Sequence, residues 1–256
     1  MAFDLSSISK TTMPQAIQFV VYGNAGVGKT TLASQAPKPI FIQTEDGAGN
    51  LQVDAFPLAE SYDDVKSMLT TLGQQDHDYK TVVIDSIDHL EPLIWSKVCE
   101  LNKWESIETP GYGKGFLAAA DLWREVISIL TALREFKQMH VILIAHSVIR
   151  AHRDPEIEEV SRHELKLHQR ASALVTETSD VVAFCRHKIT TKKEETGFGN
   201  TRSRGISTGR RVMATEETPA HVAKNRFGLP AELDLSWSAL HDAIYPRTNK
   251  EKAANG

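Results

Sequence analysis

The sequence predicts an α/β domain with a mainly parallel, twisted sheet covered by helices on both faces. Short apolar runs recur at Ile17 to Tyr22, Ile40 to Ile42, Thr81 to Ile84, Val141 to Ala145 and Val181 to Phe184. Each is followed by polar or glycine-rich residues and then by a helical pattern, the alternation that builds a parallel sheet buried on both faces. The chain has 256 residues, 41% of them hydrophobic and 24% charged. That is enough apolar material for one substantial core.

The elements follow in order. Residues 1–13 read as an N-terminal arm ahead of a single domain spanning 14–246. The opening MAFDLSSISK has no basic segment followed by an apolar one, and no run approaches a membrane span, so the expectation is a soluble, cytoplasmic protein with no membrane partner. Ser61 to Leu72 reads as a helix opened by a capping box, Ser61 with Asp64 three residues on. Ile87 to Trp104 and Gly115 to Lys137 carry apolar residues at three- and four-residue spacing and read as longer helices, with Trp95, Trp104 and Trp123 as core anchors. Residues 150–169, polar and rich in His and charge, read as a long loop. In 188–213, β-prone residues flank a glycine-rich polar centre from Thr196 to Gly209, which predicts a hairpin with a basic tip. The tail, 247–256, has the composition of disorder.

The net charge of −4 hides two opposed regions. From Ile40 to Pro110 there are 14 Asp/Glu against 4 Lys/Arg, whereas from Arg186 to Arg211 there are 8 Arg/Lys against 2 Glu. The two cysteines, Cys99 and Cys185, are too few and too far apart for a disulfide framework or a zinc ribbon.

The chemistry begins at Gly23-Asn24-Ala25-Gly26-Val27-Gly28-Lys29-Thr30, which fits G-x-x-x-x-G-K-[ST] directly after an apolar strand and opens a helix. The glycines let backbone N–H groups wrap a phosphate, and Thr31 continues the cradle. The expected ligands are ATP and Mg2+: Lys29 reaching the β- and γ-phosphates, the Thr30 hydroxyl on the metal. A strand-end carboxylate, Asp85 after Thr81-Val82-Val83-Ile84, is the second metal partner. Ser86 follows it, so a water-activating glutamate cannot come from that position. Glu45, at the end of Phe41-Ile42-Gln43-Thr44-Glu45, is the expected general base, with Asp46 and Asp88 as alternatives. His146 ends the Val141 to Ala145 strand at the same edge, where an imidazole can report on the γ-phosphate.

These residues resemble the RecA-like ATPase core, and most closely the phage single-strand annealing recombinases of the Sak type. The resemblance rests on GNAGVGKTT at Gly23, FIQTEDG ending at Gly47, VVIDSID around Asp85 and VILIAHS ending at Ser147, over most of the chain. A fifth element, Lys224-Asn225-Arg226-Phe227-Gly228, looks like the corresponding element of bacterial RadA proteins and of DnaB-type helicases. The resemblance implies a RecA-like P-loop NTPase fold with a C-terminal β-hairpin extension and the His146 strand between the P-loop and Asp85 strands. It further implies a homo-oligomer, ring or filament, with ATP at subunit interfaces, where Lys224 and Arg226 of residues 221–230 act in trans. Single-stranded DNA is the implied partner, met by residues 150–169, and a single-strand-binding protein is a further partner left open. Tyr112-Gly113-Lys114-Gly115 resembles a recurring element of the phage group without an assigned role. The zinc ribbon and protease-like domain of RadA proteins are not seen, which favours a core-only recombinase.

Three functions remain open on the sequence: a DNA-stimulated ATPase that anneals or exchanges strands, a small helicase or branch-migration motor, and a nucleotide-switched assembly ATPase that touches no nucleic acid. Clustered Arg/Lys argues against the third.

Overall fold

The computed structural model describes Asp4 and residues 14–47, 49, 51–154, 157–196 and 200–246, with the side chains of 153–158 and 190–207 excepted. The N-terminal arm, apart from Asp4, and the tail of the sequence reading lie outside the described residues.

Strands β1 (Gln18–Gly23), β2 (Pro39–Gln43), β4 (Thr81–Asp85), β5 (His140–Asp154) and β7 (Val181–Thr196) form the parallel centre, joined by β3 (Asp54–Ala55), β6 (Ile157–Leu165), β8 (Asn200–Ala214), β9 (Lys224–Asn225) and β10 (Glu232–Asp234). The order across the sheet is β10-β8-β7-β1-β5-β4-β2-β3, with β6 on β5 and β9 on β7. The His146 strand therefore lies between the P-loop strand and the Asp85 strand, as the resemblance implied.

Period-two alternation sends successive side chains to opposite faces. Val20, Tyr22, Ile84 and Leu143 pack with helices α2 (Tyr62–Gln74), α3 (Ile87–Asn102), α4 (Lys114–Phe136) and α5 (Gln169–Thr178). Phe19, Val21, Val83 and Ile142 pack with α1 (Lys29–Ser34) and α6 (Trp237–Ile244). Both sheet faces are thus covered, which holds the strand ends rigidly at one edge. Helix α2 opens with the expected capping box: Asp64 N donates to Ser61 Oγ at 3.1 Å and Ser61 N to the Asp64 carboxylate at 2.9 Å. Trp123 is fully buried, and Trp95 and Trp104 pack against the same core.

Residues 150–169 are not a loop. Strand β5 runs nine residues past Ala145 and turns into β6, giving an antiparallel ladder with Arg150 opposite Arg162 and Ser147 opposite Leu165. The alternating apolar pattern that marks a half-buried strand is missing because most of this hairpin projects beyond the core, with Leu165 at its root buried there. Backbone pairing and polar contacts hold it instead, such as Arg150 to Glu164 at 3.2 Å and Arg162 to Glu217. The predicted hairpin is present and continuous with the last core strand, but residues 200–209, read as part of its polar centre, are strand: β7 and β8 pair from Phe184–Ala214 outward to Thr196–Asn200. Among the described residues, no helix is long and apolar enough to cross a membrane.

Candidate functional site

Parallel register brings the ends of β1, β5, β4 and β2 to one edge: Gly23 lies beside His146, and Gln43 beside Asp85. A pocket of about 380 Å³ opens there, lined by Ala25, Gly26, Gly28, Lys29, Thr30, Thr31, Glu45, Gly47, Leu51, Asp85, His146 and Arg211. Asn24 and Val27 face a neighbouring cleft instead, with Val27 seated in the core. Close packing explains two glycines. A Cβ on Gly23 would lie 2.3 Å from the Cys185 carbonyl oxygen of β7, and one on Gly28, where φ is +106°, would lie 2.6 Å from an Arg211 guanidinium nitrogen.

Lys29 is buried and donates to the carbonyls of Gly23 and Asn24 at 3.0 Å each. Burial pulls its pKa below the ordinary lysine value, as expected of a cation without a close carboxylate. Thr30 Oγ1 donates to Asp85 Oδ2 at 2.8 Å. Burial raises the Asp85 carboxyl and the Thr30 hydrogen bond opposes that rise. A hydroxyl and a carboxylate at this spacing, beside a phosphate-sized cradle, form the hard oxygen set that suits Mg2+.

Glu45 lies two residues beyond β2, in a segment fixed by Thr44, whose N–H donates to Asp85 O at 2.9 Å and whose hydroxyl donates to Ser86 O at 2.6 Å. Its carboxylate faces the pocket, 3.2 Å from His89 Nδ1 and 4.0 Å from His146 Nδ1. Asp88 has a different environment. Its side chain is 0% exposed and accepts from His146 N at 2.9 Å and from His146 Nδ1 at 3.0 Å. Burial alone would raise the Asp88 carboxyl, but the His146 hydrogen bonds override it and hold the group well below the usual carboxylate range. Asp88 thereby orients His146 and leaves its Nε2 as the ring nitrogen free of this contact. Next to it, Ser147 Oγ donates to Asn24 Oδ1 at 2.8 Å, tying the root of the β5–β6 hairpin to the phosphate loop.

Lys224 and Arg226 are not brought to this pocket. Strand β9 pairs with the opposite end of β7, Lys224 beside Val182, three residues below the level of Gly23. Lys224 Nζ caps the end of α5 through the carbonyls of Thr176 and Glu177 at 2.8 and 2.7 Å, and Arg226 reaches Glu177 O at 3.0 Å. Tyr22 links this element to the phosphate loop, since its hydroxyl, one residue before Gly23, lies 2.6 Å from Val222 O.

Sequence reasoning missed His89, the anchoring role of Asp88 and the place of Arg211 in the pocket. His89 lies in the first turn of α3, which begins two residues after Asp85 ends β4, so its nearness to the sheet edge could have pointed to it. Arg211 had no local signal, being one cation within a basic run. Glu45, His89 and His146 also gather ligand atoms within 4.8 Å of one another, two imidazoles and a carboxylate capable of holding a metal ion.

A mainly parallel sheet with a phosphate loop after β1, a strand-end Asp on β4 and helices on both faces defines a RecA-like P-loop NTPase. Residues 15–227 match the AAA_24 family, described as an AAA domain, and the chain belongs to that family. It is 22% identical over 274 residues to the SPbeta prophage-derived uncharacterized protein YorG of Bacillus subtilis (strain 168), covering 100% of this chain and 75% of that protein. Among solved structures it is similar to the RadB recombinase, with a TM-score of 0.46 and 15% identity over 89% of this chain and 90% of that one.

Proposed function

We propose that this chain is a magnesium-dependent ATPase that binds single-stranded DNA and promotes strand annealing or exchange, with its nucleotide sites completed between subunits. The observation that carries the reading is the convergence at one sheet edge of a phosphate pocket and the roots of two projecting hairpins, joined by the Ser147–Asn24 hydrogen bond. A displacement at the phosphates is thereby transmissible to the surfaces that would meet DNA.

Each side chain has a role set by its place. Lys29 supplies charge to the β- and γ-phosphates; Thr30 and Asp85 would hold Mg2+, which supplies charge neutralisation when bound. Glu45, partly exposed to the pocket, takes the proton of the attacking water, and the pinned His146 presents Nε2 to the γ-phosphate, to which it donates when both ring nitrogens carry protons. Lys224 sits roughly 10 Å below Gly23 along the strand direction, and Arg226, level with Asp180, farther still. In this reading they act on a neighbouring subunit's pocket, exchanging the α5 carbonyls that they contact within their own chain for its phosphates.

The DNA reading is supported by charge and exposure. Arg186, Lys188 and Arg210 at the hairpin base pair with Glu232 and Asp234. Lys192, Lys193, Arg202 and Arg204 lie farther out, where β10, which pairs only with Val212–Ala214, does not extend. Tyr112 is 100% exposed between Gly111 and Gly113, two residues before Lys114, and offers a stacking face.

The test compares annealing of complementary strands with unwinding of a duplex at one ATP concentration. Annealing without unwinding is the expected result. Directional unwinding would favour the motor reading, and no affinity for single strands would leave an assembly ATPase.

A further inference from the structure

The hairpin base carries four described Arg/Lys residues, and their environments differ. Arg186 and Lys188 meet Glu232, and Arg210 meets Asp234 at 2.6 Å. Arg211, next in β8, points to the other side of the strand. It lines the phosphate pocket, and no ion pair is seen for it among the described residues. Its backbone is held at both sides, paired with His187 of β7 and accepting from Leu235 N at 3.1 Å. The guanidinium therefore comes from a fixed strand rather than a loose loop, and it lies against Gly28, the residue immediately before Lys29.

The side from which it arrives matters. In the strand order β8-β7-β1-β5-β4-β2, Arg211 stands on one flank of β1, while His146, Asp85 and Glu45 stand on the other. The groups assigned to hydrolysis gather on the second flank, so Arg211 enters the shared pocket from the side away from their strands. We propose that Arg211 is a phosphate ligand supplied in cis, which neutralises the part of the polyphosphate retained after hydrolysis and thereby fastens the root of the β7–β8 hairpin to the nucleotide-bound pocket.

This rests on the nucleotide reading of the pocket and deepens it. A guanidinium presents several N–H donors in a planar fork that matches phosphate oxygens, and charge-assisted bonds of this kind are the stronger class. The ligand is a nucleoside di- or triphosphate, recognised through phosphates common to both. It follows that Arg211 strengthens ADP and ATP binding alike, unlike a group directed at the γ-phosphate. It also follows that the basic hairpin senses occupancy of the pocket rather than the hydrolytic step.

The experiment titrates the full chain with fluorescent ADP and with a slowly hydrolysed ATP analogue, using the parent, Arg211→Ala, Arg211→Lys and Lys29→Ala. Arg211→Ala should weaken both nucleotides by about tenfold and by the same factor, with partial recovery in Arg211→Lys. Hydrogen exchange supplies the second readout. ADP should slow exchange of the amides of residues 186–188 and 211–213 in the parent, and should not do so in Arg211→Ala. Unchanged affinities in Arg211→Ala overturn the proposal, as does a loss confined to the triphosphate. Equal ADP-induced protection in parent and Arg211→Ala overturns the fastening. The Lys29→Ala arm separates the two layers: if it too binds both nucleotides normally, the nucleotide reading of the pocket has failed.

Discussion

Glu45 and Asp88 compete for the role of base, and their environments separate them. Glu45 faces the pocket with its side chain 24% exposed and its described ion pairs made to His89 and His146, whereas Asp88 is fully enclosed and hydrogen-bonded to His146. Glu45→Gln keeps the shape and removes the proton acceptor, so turnover should fall by at least about a hundredfold with ATP binding retained. Its effect on stability should be within roughly 0.5 kcal/mol, since no buried bond is lost. Asp88→Asn removes the charge from two hydrogen bonds inside the core, at a cost of about 2–3 kcal/mol. In a chain of this length that corresponds to a melting point lower by roughly 5–10 °C. Phosphate release, nucleotide titration and thermal denaturation on the two purified variants give the comparison. A Glu45→Gln variant that hydrolyses ATP within about tenfold of the parent would refute the assignment. A Glu45→Gln variant destabilised as much as Asp88→Asn would refute the account of their environments.

Three further expectations follow from other parts of the molecule. Lys224→Ala keeps an intact pocket and Glu45→Gln keeps Lys224 and Arg226, so if these act in trans each variant alone should be nearly inactive and a co-assembled mixture should regain part of the ATPase activity; exchange of subunits without recovery would exclude action in trans. Neutralising Arg202 and Arg204 together should weaken single-strand binding across sequences and flatten its salt dependence by up to about two phosphate equivalents, and a slope equal to the parent's would place the DNA elsewhere. His140 is buried and accepts from Ile17 N at 3.1 Å, and burial pulls its pKa from 6.5 down to about 4. Between those values the unfolded chain binds the proton that the folded one refuses, so stability should fall as pH drops from 6.5 towards 4, by on the order of 3 kcal/mol. Denaturant melts of His140→Gln should lack that part of the slope; a profile parallel to the parent's would show that His140 does not titrate this way.

Much of the site was legible because its signals are local. The spacing of Gly23, Gly28, Lys29 and Thr30 is a backbone shape written in consecutive residues, and Asp85 stands where an apolar run ends. Helix α2 announced its start through Ser61 and Asp64, two side chains that bond within one turn. The parallel sheet followed from apolar runs alternating with helical periodicity.

Other features came only with the tertiary structure. The β5–β6 hairpin has no continuous apolar face, since most of it leaves the core after Ala145 and of its apolar side chains Leu165 at the root is the fully buried one among the described residues, and hydrophobic periodicity cannot report a strand with so little apolar burial. Whether Asp88 was a base or an anchor depended on burial and on His146, 58 residues away. Lys224 and Arg226 were recognisable as a motif, yet their position at the end of the sheet opposite the pocket is a matter of register between β9 and β7. The sequence alone thus determined the phosphate cradle and the class of fold, because both are encoded by neighbours in the chain. The fold decided the surroundings of each charge, because Arg211 meets Gly28 across 183 residues only when β8 is laid beside β7 and β7 beside β1.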